Sequence, residues 1–227
     1  MREFTLLSHT LSVSTPTPGG RPPLRLETDE SLDQGFPGNT CYFTAWNHAG
    51  THVDAPAHML ADGRTILEYR IHDLIYYRPL VVDVPKVDDQ IITPADLRTY
   101  EKAIAECDLL LLRTGFSQYR ESDPVRYRDR NPGLSVDVAR YLNATHFPLL
   151  RAIGIDAISM AAAYHIAEGV EAHRILFARE DGSSILLVED MILAPGLSQL
   201  KRVFVVPLFI EGLDSSPCTI IAEIEVN

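Results

Sequence analysis

Cysteine is scarce: Cys41, Cys107 and Cys218 are the only three in 227 residues. Their odd number and wide scatter exclude a disulfide framework and a CxxC metal knuckle, and three buried free thiols are expected. No apolar run reaches the ~18 residues of a membrane helix. The opening MREFTLLSHTLS has no apolar stretch followed by a small-residue cleavage site, so a cytoplasmic location is expected. Positive charge is also short, with 20 Lys and Arg against 31 Asp and Glu and a formal net charge of -11. Nucleic acid and anionic membranes both require clustered Lys and Arg, so neither is an expected partner. No P-loop, GxGxxG or GxSxG element occurs, which leaves nucleotide binding and serine-hydrolase chemistry without support. Repeats and low-complexity tracts are missing too, and the length suits one domain over residues 1–227.

What is present reads as a mixture of strands and helices without regular βαβ alternation. A first strand is expected near 4–12, then a Pro- and Gly-rich connector over 14–23. Residues 40–47 are aromatic and β-rich, and 79–84 read as another strand. Thr93 can cap a helix with Pro94 in its first turn, placing Leu97, Tyr100 and Ile104 on one face. The continuous apolar run 107–113 suits a strand buried on both sides. The charged stretch 115–134 reads as a long surface loop, of a length that often serves as a lid. Ser135 can cap a helix running towards Phe147, and 152–156 form a short strand. A helix over 168–179 precedes strands at 185–193, 203–211 and 218–226. The expectation is an α/β domain with mixed β-sheets and flanking helices.

The chemistry concentrates in His48-Ala-Gly-Thr-His-Val-Asp-Ala-Pro-Ala-His58, which holds three of the eight histidines. Imidazole nitrogen and carboxylate oxygen suit Zn²⁺, Mn²⁺ or Fe²⁺. His48, His52, Asp54 and His58 all sit at even positions, which share one face of an extended chain. Gly50 can supply a bend, and Pro56 argues against a continuous helix. A bent, extended segment can thus aim His48, His52 and Asp54 at one ion, with His58 beside it. Imidazole titrates near neutrality, so His58, if not a ligand, can shuttle a proton. Three protein ligands leave room for water, a combination suited to attack on an amide, ester or lactone carbonyl.

The run HAGTHVDAPAH resembles the HxGTHxDxPxH signature of the cyclase family of metal-dependent hydrolases, which includes bacterial kynurenine formamidases and isatin hydrolases. LSHTLS, LLLRTG, GID with Ser159, and the segment from Val206-Pro207-Leu208 through Ser216-Pro217 are similar to further family segments. The resemblance implies a swivelling β/β/α-like fold and a two-metal site. His48, His52 and Asp54 would hold one ion, and Asp54 would bridge to a second bound by His173 and Glu189. His173 matches the start of a family pattern that Glu189 ends, with a few extra residues between them; His165 is the competing ligand. The ions implied are divalent, Zn²⁺ first and Mn²⁺ as the alternative. His58 would be the catalytic histidine, and the chain a homodimer or homotetramer acting on a small molecule. Formamidase members carry an aromatic residue beside the Pro-Gly after the first strand. This chain has Thr17-Pro18-Gly19, so a different amide, lactam or lactone fits equally well.

Other residues have two readings each. Arg113, ending the buried strand, is placed either to bind a substrate carboxylate or to make a salt bridge or carbonyl contact. Asp156 and Ser159 are candidates to support metal ligands. Phe43 and Trp46 either line a pocket or belong to the core. Glu189 lies in an apolar run, where an acid needs a metal, an Arg or hydrogen-bond donors; Asp190 should face the other way. Two further functions compete with hydrolysis: a metal-stabilised binding module, and a metal-dependent isomerase or lyase.

Overall fold

The computed structural model describes residues 1–144, 146–179 and 181–225. Its strands are β1 (Arg2–Leu6), β2 (Leu24–Glu30), β3 (Thr40–Ala45), β4 (His52–Asp54), β5 (Ile75–Tyr76), β6 (Pro79–Asp83), β7 (Ile91–Ile92), β8 (Leu109–Arg113), β9 (Gly133–Leu134), β10 (Ala152–Ile155), β11 (Leu186–Glu189), β12 (Leu200–Pro207) and β13 (Ser215–Glu225). The helices are α1 (Pro94–Leu97), α2 (Glu101–Ile104), α3 (Tyr119–Ser122), α4 (Pro124–Asp129), α5 (Val136–Asn143) and α6 (Ile166–Phe177).

The main sheet runs β5-β12-β13-β4-β11-β10-β8-β6, with β1 also on β13. β6, β8, β10 and β11 are parallel, whereas β4 is antiparallel to both β11 and β13. The sheet curls until β6, at one end, packs against β12 near the other. Period-2 alternation divides the core between its faces. Leu110, Leu112, Ile153 and Leu187 pack with Val138 and Leu142 of α5 and Leu176 of α6. Leu109, Leu111, Val53 and Val188 turn to the opposite face, against Val203, Val205 and Ile220. The apolar run in β8 is therefore buried on both sides, as its composition predicts.

Several elements differ from the sequence reading. The charged stretch 115–134 is not a surface loop: it carries α3, α4 and β9, with Phe116 and Tyr127 fully buried. Asp123 caps α4 by accepting from the Arg126 N–H, and Pro124 occupies the first turn. Arg120 reaches inward to the buried Asp190, so this charge marks internal pairing rather than solvation. The first strand ends at Leu6, before the expected 12, and the strand expected over 185–193 stops at Glu189, because Asp190 adopts φ 54°. β12 begins earlier and ends at Pro207. The last strand begins earlier as well, and residue 226 of the expected range lies outside the described residues. β2, absent from the sequence reading, pairs with β3 in a hairpin that exposes Leu26, Tyr42 and Phe43. Cys41 is exposed on that hairpin and Cys218 half-buried; Cys107 alone of the three thiols is buried. Among the described residues no helix is long and apolar enough to cross a membrane.

Candidate metal centre

The motif folds as its residue types suggest. β4 is only three residues long, and His52 and Asp54 share its helix-side face while Val53 enters the opposite core. Gly50, at φ 68°, turns the chain so that His48 folds back over the strand. Pro56 starts a 3-10 turn that lifts His58 to the same side. Antiparallel register then sets Glu189 of β11 opposite His52, and Ser215 of β13 beside Asp54. α6 lies over this face and adds His173.

The donor atoms converge. His52 Nε2 is 3.3 Å from Glu189 Oε2 and 3.5 Å from Asp54 Oδ1. His48 Nδ1 is 3.2 Å from Asp54 Oδ1, and His173 Nε2 is 3.4 Å from Glu189 Oε1. Two overlapping groups form, His52 with Asp54 and Glu189, and His48 with Asp54 and His58; Asp54 belongs to both. His52 and Asp54 are each 1% exposed, and His173 and Glu189 each 3%. His165, the competing candidate, is exposed at the start of α6 and stands apart from the cluster.

Neighbouring hydrogen bonds orient these groups. His52 Nδ1 donates to the Gly50 carbonyl at 2.8 Å, and His173 Nδ1 to the Gly169 carbonyl at 2.7 Å. A carbonyl only accepts, so each Nδ1 carries a proton and each Nε2 is the atom that faces the cluster, available to a cation once it is deprotonated. Glu189 Oε1 accepts from Met160 N at 2.6 Å and from Ser159 Oγ at 3.1 Å. Ser159 thus supports a candidate ligand. Asp156 does not: its carboxylate accepts from Thr114 and Gly115 and pins the turn after β8. Arg113 pairs with Asp83 through two nitrogens and donates to the Ala194 carbonyl. Asp190 faces away from Glu189 and is held by Arg120 and Tyr127.

Sequence reasoning missed Asp214. Its Oδ2 accepts from His58 Nδ1 at 2.9 Å and lies 3.5 Å from His48 Nε2; its Oδ1 accepts from Asn47 Nδ2 at 2.9 Å. Ser215 Oγ lies 2.9 Å from His48 Nε2. The segment Gly212-Leu-Asp-Ser-Ser-Pro217 was conspicuous, but nothing local links Asp214 to a histidine 156 residues away.

The electrostatics favour cations. Burial opposes protonation of His48, yet Asp214 and Asp54 raise its pKa to about 10. Burial likewise opposes charge on His52 and His173, but Asp54 and Glu189 raise both. Burial would raise Glu189, and the two histidines instead hold it well below the usual carboxylate range. The fit to a metal rests on two atoms: His52 Nε2 and Asp54 Oδ1 are buried and have no hydrogen-bond partner among the described residues. Orphaned donors and acceptors at such depth are costly, and a divalent cation satisfies both at once. A cavity of about 530 Å³ opens over the cluster, bounded by Arg21, Trp46, His58, Met59 and Ile166. Trp46 therefore faces the site, whereas Phe43 is neither pocket nor core but exposed.

The family model for cyclases matches residues 5–162. The chain belongs to the cyclase family. Among relatives of this cyclase, a kynurenine formamidase of Bacillus cereus is 26% identical over 216 residues, covering 95% of this chain and 94% of that one. Isatin hydrolase A from Labrenzia aggregata superposes with a TM-score of 0.79 at 22% identity, over 98% of this chain and 94% of its own. A predicted metal-dependent hydrolase from Bacillus stearothermophilus gives 0.71 at 22% identity, over 98% of both chains. These likenesses show the cyclase fold: an α/β domain with a mixed, nearly closed sheet and flanking helices.

Proposed function

We propose that this cyclase is a metal-dependent hydrolase that opens an amide, lactam or lactone. The carrying observation is the pair of buried orphan atoms, His52 Nε2 and Asp54 Oδ1, beside a cavity sized for a small molecule that Asp54 helps to line. Relatives named kynurenine formamidase and isatin hydrolase support the reaction class. His48, His52, Asp54, His173 and Glu189 would hold up to two divalent ions, Zn²⁺ or Mn²⁺. A bound ion supplies Lewis acidity and brings the pKa of water towards neutrality, from 15.7 to about 7 in the best sites.

The protein's own part is to position and to move protons. Asp214 accepts from His58 Nδ1, which leaves Nε2 free to take a proton from attacking water and return it to the leaving amine or alcohol. Met59, Ile166 and Trp46 give the cavity apolar walls against which the body of a substrate can pack. Asn47 and Ser215 hold the Asp214–His48 side of the site still.

The test is hydrolysis of a panel of N-formyl amides, lactams and lactones by protein of measured metal content. Turnover that places ¹⁸O from solvent in the product supports hydrolysis; turnover without it assigns an isomerase or lyase. Metal bound with no turnover across the panel assigns a binding module. Self-association as a dimer or tetramer belongs to the same proposal. The exposed Leu26, Tyr42 and Phe43 on the β2–β3 hairpin support a chain–chain contact, since isolated hairpins are marginal in water. Sedimentation of the native chain reads the outcome.

A further inference from the structure

Arg21 stands at the rim of the same cavity. Arg2, Arg113, Arg120, Arg126, Arg130 and Arg202 each pair with a carboxylate. Among the described residues no carboxylate pairs with Arg21. Its guanidinium instead lies 4.9 Å from the centre of the Trp46 ring, within cation–π range. Trp46 in turn is 5.3 Å from the His48 ring. A continuous wall of Arg21, Trp46 and His48 therefore leads from solvent to the candidate metal centre.

The backbone under Arg21 is built to hold it there. Thr17 is buried, and its hydroxyl donates to the Arg21 carbonyl. Gly20 N donates to the Thr17 carbonyl at 2.9 Å. Gly19 and Gly20 both take left-handed φ values, 69° and 68°, which the tight turn requires. Pro22 and Pro23 then restrict the exit of the chain. The acidic groups inside the cavity, Asp54 and Glu189, already face histidines. Arg21 is thus a pre-positioned cation with an unfilled fork of donors, beside an aromatic face, in a chain of net charge -11.

The geometry points to Arg21 as the specificity residue for a carboxylate on the substrate, remote from the bond that is cut. The preferred substrate is a small planar amide or lactone whose body lies on Trp46 and whose carboxylate meets the Arg21 guanidinium. This rests on the hydrolase reading, which the test keeps separate.

Two measurements on the metal-loaded protein decide it. The first compares kcat/KM for 2-, 3- and 4-formamidobenzoate with their methyl esters, in wild type, Arg21→Gln and Arg21→Lys. The second follows fluorescence of Trp46, the sole tryptophan, during titration with benzenesulfonate, an anion that ligates metals poorly, against neutral methyl phenyl sulfone. Charge-assisted hydrogen bonds imply that Arg21→Gln costs about 10- to 100-fold for the anions, through KM with kcat kept, and nothing for the neutral partners. Arg21→Lys should restore part of the loss. An acid-to-ester ratio and a sulfonate affinity that both survive Arg21→Gln overturn the assignment while hydrolysis stands. If no formamidobenzoate is turned over, the hydrolase reading is judged on the wider panel of lactams and lactones, and the sulfonate titration alone decides for or against Arg21 as the anion site.

Discussion

His52 and Glu189 face each other across adjacent antiparallel strands, with Nε2 3.3 Å from Oε2 and both side chains almost wholly buried. Each is anchored from behind, His52 by the Gly50 carbonyl and Glu189 by Met160 N and Ser159 Oγ. The remaining lone pairs can point only into the cluster. The pairing spans 137 residues of sequence, and register alone creates it.

Metal content should follow from this pairing. Wild type purified without added metal should carry a divalent ion, and His52→Ala should lower the stoichiometry measured by plasma mass spectrometry. Ser159→Ala should keep the ligands yet weaken affinity by about 10- to 100-fold, because it frees Glu189 Oε1 from one donor. Unchanged content and affinity in both variants would count against the ligand assignment.

Proton transfer gives the second prediction. His58→Ala should keep its metal and lose about 10²–10⁴-fold in kcat. Asp214→Asn leaves His58 in place but removes the charge that its Nδ1 meets, and about 10- to 100-fold is expected. Single-turnover kinetics on protein of matched metal content separates these effects from loss of the ion.

Metal binding should release protons. In the metal-free protein, carboxylates raise His48 to about 10 and raise His52 and His173 as well, so these groups bind protons that a cation must displace. A raised pKa means the protonated form persists as pH rises, until pH passes that value. Apparent metal affinity should therefore climb with pH through neutrality and level off near pH 10. Calorimetry in buffers of different ionisation enthalpy reads the number of protons; zero release at pH 7 would refute the reading.

Stability beneath the site rests on Asp190. Arg120 donates to it through two nitrogens, each at 2.7 Å, and Tyr127 Oη donates at 2.6 Å, all buried. Arg120→Met strands a buried carboxylate and should cost about 3–5 kcal/mol. Tyr127→Phe removes one hydrogen bond to a charged group and should cost about 1.5–3 kcal/mol. Urea unfolding with a shared m-value is the measurement.

The local chemistry was legible in the residues themselves. The even spacing of His48, His52, Asp54 and His58, with Gly50 and Pro56 between them, foretold convergent donors because strand geometry and the bends at Gly and Pro are short-range properties. The buried β8 could be recognised from its uninterrupted apolar run. The stretch 115–134 was misjudged for the opposite reason. Arg120, Arg126 and Arg130 pair with Asp190, Asp88 and Asp89 outside the stretch, and no local pattern distinguishes such a charge from a solvated one.

The donor set of the HAGTHVDAPAH segment is legible in sequence, since residue type and spacing are written along one short piece of chain. Only the tertiary structure decided what completes it. Cross-strand register brought Glu189 to His52, helix packing set His173 rather than His165 beside Glu189, and the segment entering β13 brought Asp214 to His58. A fold also had to place Arg21 against Trp46 before that arginine had any meaning. Such contacts depend on where distant strands come to lie, which covalent sequence constrains only through the packing of the entire core.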